Sequence, residues 1–183
     1  MRLVVLGLIL FVLGGAVFLS VRNGVFMPVR VNIEERGPFL LVYKTHVGPY
    51  HKIMPTLETV EKWARETGFH CERTFGEFID DPNLVEVERL HSNVGCLQDL
   101  SGPDVQNLLA NRNLPEDFKV KEIPAQRFVV ATFEGSPALG PYKVYGKAHD
   151  VMIRQRLEPN GPVIEIYQTV DNIFRTLYLF PVK

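Results

Sequence analysis

The chain has 183 residues, 46% of them hydrophobic and 22% charged, with a formal net charge of −1. That length suits one ordinary domain. So balanced a charge, with no lysine or arginine stripe, lacks the electrostatic footprint of a nucleic-acid-binding protein, and no nucleic-acid partner is expected.

Residues 3–19 carry no charged or strongly polar side chain, and Arg2 and Arg22 bracket them. Continued through Val21 as a helix, the run matches a hydrocarbon layer about 30 Å thick. It predicts an N-terminal transmembrane anchor over residues 1–22, with membrane contact through residues 3–21. A cleaved signal peptide is the competing reading, but no A-x-A-like site follows the run. Arg22, Arg30 and Arg36 after the span, against Arg2 and the amino terminus before it, place the domain on the cytoplasmic side. Two cysteines do not make a disulfide framework. Cys71 and Cys96 could meet across a hairpin, yet they read as partly buried free thiols of a reducing compartment.

Residues 23–28 form a short linker, with Asn23-Gly24 a turn, and the globular domain occupies 29–183. Val29, Val31 and Ile33 alternate with polar residues, as in a half-buried strand. A turn at Arg36-Gly37-Pro38 leads to a second strand, Phe39 to Thr45. After His46-Val47-Gly48-Pro49-Tyr50, Ile53, Leu57, Val60 and Ala64 recur at helical spacing up to Gly68. Strands follow over 69–79 and 88–98, around a turn at Asp80-Asp81-Pro82-Asn83. Residues 99–117 are polar and irregular, a connection between halves.

The second half repeats this order. Strands cover 118–123 and 127–134, and Gly140-Pro141-Tyr142 opens a helix reaching about Leu157, with Val144, Ala148, Val151 and Met152 on its apolar side. Strands over 162–168 and 172–182 close the chain. Phe39-Leu40-Leu41-Val42 matches Phe128-Val129-Val130-Ala131, Gly-Pro-Tyr opens both helices, and Glu77-Phe78-Ile79 falls where Glu165-Ile166-Tyr167 falls. Such self-similarity predicts two strand-strand-helix-strand-strand units, about 29–98 and 118–183, burying their faces together.

This arrangement resembles the GyrI-like domain family, of the SOUL and multidrug-regulator effector-binding type. The residues that carry the likeness are Val42-Tyr43-Lys44-Thr45-His46, the Asp80-Asp81-Pro82 turn, Phe118-Lys119-Val120, Val129 to Phe133 and Glu165-Ile166-Tyr167-Gln168. Within the family the likeness is greatest to the testis-expressed protein 264 group, which places such a domain behind an N-terminal membrane segment. The resemblance implies an α+β fold with pseudo-twofold symmetry, an antiparallel-rich sheet with two main helices on one face, and a central ligand cleft. It implies that a glutamate at Glu165 meets cationic ligands among aromatic residues. Some relatives instead hydrolyse cyclopropane-bearing compounds with a glutamate and an aromatic neighbour.

Glu165 is singled out by the residues themselves. Strand alternation sends Ile164 and Ile166 to one face and Val163, Glu165 and Tyr167 to the other. A partly desolvated carboxylate there could pair with a ligand cation, and aromatic faces would add cation–π attraction. Its bland alternative is a carboxylate satisfied by a neighbouring arginine or amide. Tyr167 and Tyr43 are the aromatic partners expected, with Tyr50, Tyr142 and Glu77 as further lining; each tyrosine could equally be core with a bonded hydroxyl. The five histidines have no metal-ligand spacing, and no phosphate loop or nucleophile elbow occurs, so neither metal nor cofactor is expected.

The expected function is a membrane-anchored module that binds an amphipathic or cationic small molecule. A hydrolase of strained electrophiles in the same cleft is one alternative. A ligand-free adaptor for protein partners at the membrane, as in selective autophagy of the endoplasmic reticulum, is the other. An open aromatic cleft would favour the first two readings, a filled one the third.

Overall fold

The computed structural model describes residues 2–101, 105 and 114–183, with side chains from residue 5 on. Helix α1 (Arg2–Arg22) comes first. Apolar side chains surround it on every side, and none of its Val5–Arg22 stretch, of mean hydropathy 2.3, is buried against the domain. It is long and apolar enough to cross a membrane.

Two units of the same element order follow. The first comprises β1 (Arg30–Arg36), β2 (Phe39–Val47), α2 (Met54–Thr67), β3 (Thr74–Phe78) and β4 (His91–Asp99). The second comprises β5 (Lys119–Ile123), β6 (Gln126–Glu134), α3 (Gly140–Gln155), β7 (Val163–Val170) and β8 (Ile173–Pro181). All eight strands join one sheet in the order β1-β6-β8-β7-β3-β4-β2-β5, and every pairing is antiparallel. Exchanging the two units and reading the sheet backwards returns the same order. The fold is therefore α+β with a pseudo-twofold axis at the β3–β7 seam. Each unit also lends its first strand to the other's edge, β1 beside β6 and β5 beside β2, so neither half is complete alone.

The turns dictate the curvature. Pro124-Ala125 joins β5, at one edge of the sheet, to β6, next to the opposite edge. Two residues can span that distance only if the sheet curls until its edges approach. Its inner face accordingly closes on itself, with Phe39, Leu41, Phe75, Leu97, Ile123, Phe128, Val130, Ile164, Ile166 and Leu179 in one buried cluster. The outer face carries the helices. Leu57, Val60 and Ala64 of α2 are buried, with Val60 and Ala64 clustering with Val42 and Cys96. Val144, Ala148 and Met152 of α3 cluster with Val129, Ala131, Tyr178 and Phe180. Gly68, at φ 73°, ends α2 in a left-handed cap.

The structure departs from the sequence reading in three places. The strand expected over 69–79 is shortened to Thr74–Phe78, and its return partner begins only at His91, after a 3-10 turn at Val87–Arg89. Most of the 99–117 connection lies outside the described residues. Cys71 and Cys96 are not free thiols but a disulfide, with Cα atoms 5.3 Å apart. The bend that replaces strand before Thr74 brings Cys71 beside Cys96 in the cluster beneath α2, and simple alternation along an unbroken strand could not have placed it there.

Candidate functional site

β7 and β3 form the central pair of the sheet. Register sets Glu165 opposite Gly76 on one side and Tyr178 on the other. Directly paired residues share a face, so Glu165, Tyr167, Gly76, Tyr178 and Thr176 all point to the helix-bearing side, along the seam between the two units. A carboxylate is thereby set at the symmetry axis, beneath α3.

Glu165 is 5% exposed. The Tyr167 hydroxyl donates to its Oε2 at 3.0 Å, and the Tyr145 hydroxyl, reaching down from α3, donates to Oε1 at 3.2 Å. No lysine, arginine or histidine among the described residues offsets its charge. Burial pushes its pKa up to about 7, against the opposite pull of the two tyrosine donors. The hydroxyls of Tyr145, Tyr167 and Tyr178 are all held above the ordinary tyrosine range, by burial first and then by the Glu165 carboxylate. Two further polar atoms, Thr176 Oγ1 and the Tyr178 hydroxyl, are buried here without a partner of good hydrogen-bond geometry.

Rings fill the space above the acid. Tyr145 packs edge-on against Tyr178 and Phe180, with centroids 6.2 and 5.2 Å apart, and Tyr167 lies 6.4 Å from Phe174. Glycines make the room. A Cβ on Gly140 would sit 1.7 Å from the Tyr178 hydroxyl, and one on Gly76 3.0 Å from the Phe78 ring and 3.4 Å from the Tyr167 hydroxyl. The space over Glu165 is thus filled by tyrosine rings.

Of the other residues expected beside Glu165, Glu77 and Tyr43 lie on the opposite face of the sheet. Glu77 pairs with Ile164, so it faces the inner side, 1% exposed. There Lys121 Nζ donates to it at 2.6 Å and Asn93 Nδ2 at 2.8 Å. Tyr43 is on that inner side too, its pKa raised by burial and then by Glu77, with Lys121 pulling the other way. Tyr50 lies on the Glu165 side, edge-on to Phe78 at 4.7 Å and close enough to Tyr145 to help raise its hydroxyl; its own hydroxyl donates to the Asp80 carbonyl at 2.8 Å and accepts from the Asp80 amide at 2.9 Å. Tyr142 is 89% exposed and points away from Glu165 into solvent. Tyr145 and Tyr178 were not anticipated: one sits beside the apolar stripe of its helix, the other inside an apolar strand. A separate cavity of about 320 Å³ opens on the inner side, lined by Phe39, Ile166, Leu177 and Leu179 with Arg36, Arg73, Asp99 and Gln168 at its polar parts.

Comparison with known proteins fits this architecture. The family model of the GyrI-like small molecule binding domain matches residues 30–183, and the chain belongs to that family. No curated protein matches it in sequence. Among solved structures it is similar to the EcmrR C-terminal domain, with TM-score 0.64 and 13% identity over 86% of this chain and 99% of that one. SAV2435 bound to tetraphenylphosphonium superposes with TM-score 0.51 and 12% identity, covering 84% of this chain and 94% of that one. A hydrolase encoded by lin2189 from Listeria innocua gives TM-score 0.54 and 11% identity, covering 90% and 98%. At these identities the likeness is one of fold.

Proposed function

We propose that this chain is a membrane-anchored sensor or carrier of lipophilic cations, which it takes at Glu165 between α3 and the β3–β7 seam. One observation carries the reading: a nearly fully buried carboxylate with no cation of its own, beside the Tyr178 and Thr176 hydroxyls, which interact with each other but find no partner of good hydrogen-bond geometry. An isolated buried charge is costly, and a cationic ligand would supply what the protein withholds. Aromatic rings add cation–π attraction to such a ligand. Tyr145, half over the acid, is the side chain such a ligand must displace. Tetraphenylphosphonium, the ligand named with SAV2435, is a suitable probe.

The hydrophobic helix α1 supports membrane anchoring, the arrangement found in the testis-expressed protein 264 group. The filled groove favours a second reading, a ligand-free adaptor presenting the domain to a protein partner. A hydrolase would use the same acid as a general base, for which a pKa near neutrality is suited.

A thermal-shift titration of the full chain in detergent with tetraphenylphosphonium separates these. At about a hundred times its dissociation constant a ligand adds ~2.7 kcal/mol. The expected shift grows as pH rises from 6 to 8 and Glu165 ionises, and disappears in Glu165→Gln. No shift at any pH in the folded wild type leaves the adaptor as the better account, while turnover of a strained electrophile would favour the hydrolase.

A further inference from the structure

The segment between α1 and β1 is not a loose tether. The Ser136 amide donates to the Asn23 carbonyl at 3.0 Å. Lys143 Nζ, from the first turn of α3, donates to the carbonyls of Gly24, Val25 and Met27 at 3.2, 2.6 and 2.5 Å. Gly24, at φ 77°, has no space for a side chain, since a Cβ would sit 2.8 Å from the Glu134 carbonyl oxygen. The end of α1 is therefore seated on β6 and α3 at one defined place.

Apolar side chains stand exposed around that place, beside the exposed Asp171 and Asn172 and the Arg175–Glu134 ion pair. Val25, Phe26 and Met27 are exposed, as are Ile173 and Phe174 at the tip of the β7–β8 hairpin. The hairpin is rigid: Asp171 and Asn172, both at positive φ (52° and 61°), form its two-residue turn. Its position beside the helix exit is fixed by the Gly135 amide, which donates to the Phe174 carbonyl at 3.2 Å, while a Cβ on Gly135 would lie 2.9 Å from the Asn23 carbonyl. Single exposed apolar residues are commonplace. Exposed apolar side chains on two segments that meet at the exit of a membrane-length helix, with Arg22 at that helix's end, have the make-up of an interfacial belt. Phe174 also shares a face with Glu165 and approaches Tyr167, so the patch borders one end of the groove.

We infer that Phe26, Met27, Ile173 and Phe174 rest on the phospholipid surface where α1 leaves the bilayer, holding the domain against the membrane with the β7–β8 end of the Glu165 groove at the lipid interface. The inference rests on the membrane-anchor reading of α1. An amphiphile dissolved in the bilayer would then meet the groove without crossing open water.

The test uses the full chain in phosphatidylcholine vesicles containing nitroxide-labelled phospholipid. With Cys71 and Cys96 bonded, an introduced cysteine is the one thiol open to labelling, and it carries an environment-sensitive fluorophore. Three positions are compared: Ile173→Cys at the rim, Leu84→Cys in the exposed loop at the opposite end of the central strands, and Phe11→Cys within α1. Strong quenching at residues 11 and 173, several-fold above that at 84, is expected. Quenching at 11 with residue 173 no different from 84 overturns the resting surface while leaving the anchor standing. Equal quenching at 84 and 173 overturns the fixed orientation. A lack of quenching at 11 removes the anchor, and the inference with it.

Discussion

Glu165 makes part of the protein's stability depend on pH. Its carboxyl rises from 4.5 to about 7 on folding because burial penalises the charge. Between those values the folded chain holds a proton that the unfolded chain has released. The group's contribution is therefore most favourable below about pH 4.5, declines as pH rises and levels off above 7, a loss on the order of 3 kcal/mol. Glu165→Gln should accordingly melt higher than the wild type at pH 8 and converge with it towards pH 5. An equal difference at both pH values in thermal melts would falsify this account. Strand alternation alone was enough to put Glu165 and Tyr167 on one face, because both lie in a single uninterrupted run. It could not place Glu77 or Tyr43 relative to them, because that depends on pairing register. With Gly76 opposite Glu165, Glu77 is turned to the other side of the sheet. Tyr145 was hidden for a different reason: it lies one residue past Val144, at the border of the helix stripe, where an apolar periodicity carries no information about a hydroxyl reaching sideways.

Among the elements, α3 has the tightest tolerance. Its first residue, Gly140, stands where a Cβ would overlap the Tyr178 hydroxyl, so helix and strand approach as closely as they do only because that position lacks a side chain. Gly140→Ala should destabilise the fold by about 1–3 kcal/mol, the usual cost of overpacking. Adding Tyr178→Phe should recover much of that loss, and a double-mutant cycle by denaturant unfolding measures the coupling. Additive losses would mean that the overlap is relieved elsewhere. At this scale the sequence was largely legible: alternation around Val31 and Glu165, β-forming composition elsewhere and two helical stripes marked the strands and helices of both units. Residues 69–73 were the exception, since their apolar character serves packing beneath α2, where Phe69 and Cys71 lie against Trp63 and its neighbours, rather than a place in the ladder. The curl of the sheet was not legible either, because it follows from which strands the short Pro124-Ala125 turn must join.

For the whole molecule, if α1 spans a membrane as proposed, the disulfide and the charge pattern point to opposite sides of it. Three arginines after the span against one and an amino terminus before it give a slender bias, whereas a disulfide beneath α2, with Cys96 buried and Cys71 half-buried, belongs to an oxidising compartment. The bond predicts that the domain lies outside the cytoplasm. Protein denatured directly from cells without reductant should then resist a thiol-reactive polymer and accept it at two sites once reduced; two reactive thiols before reduction would return the domain to the cytoplasmic side. Cys96→Ser should cost about 2–5 kcal/mol by thermal or denaturant unfolding. The remaining consequence concerns the first turn of α3, where Lys143 holds the carbonyls at the exit of α1 and Tyr145, two residues on, holds Glu165. Both contacts are thus parts of one helical turn: a shift of that turn is felt at once by the buried acid and by the root of α1.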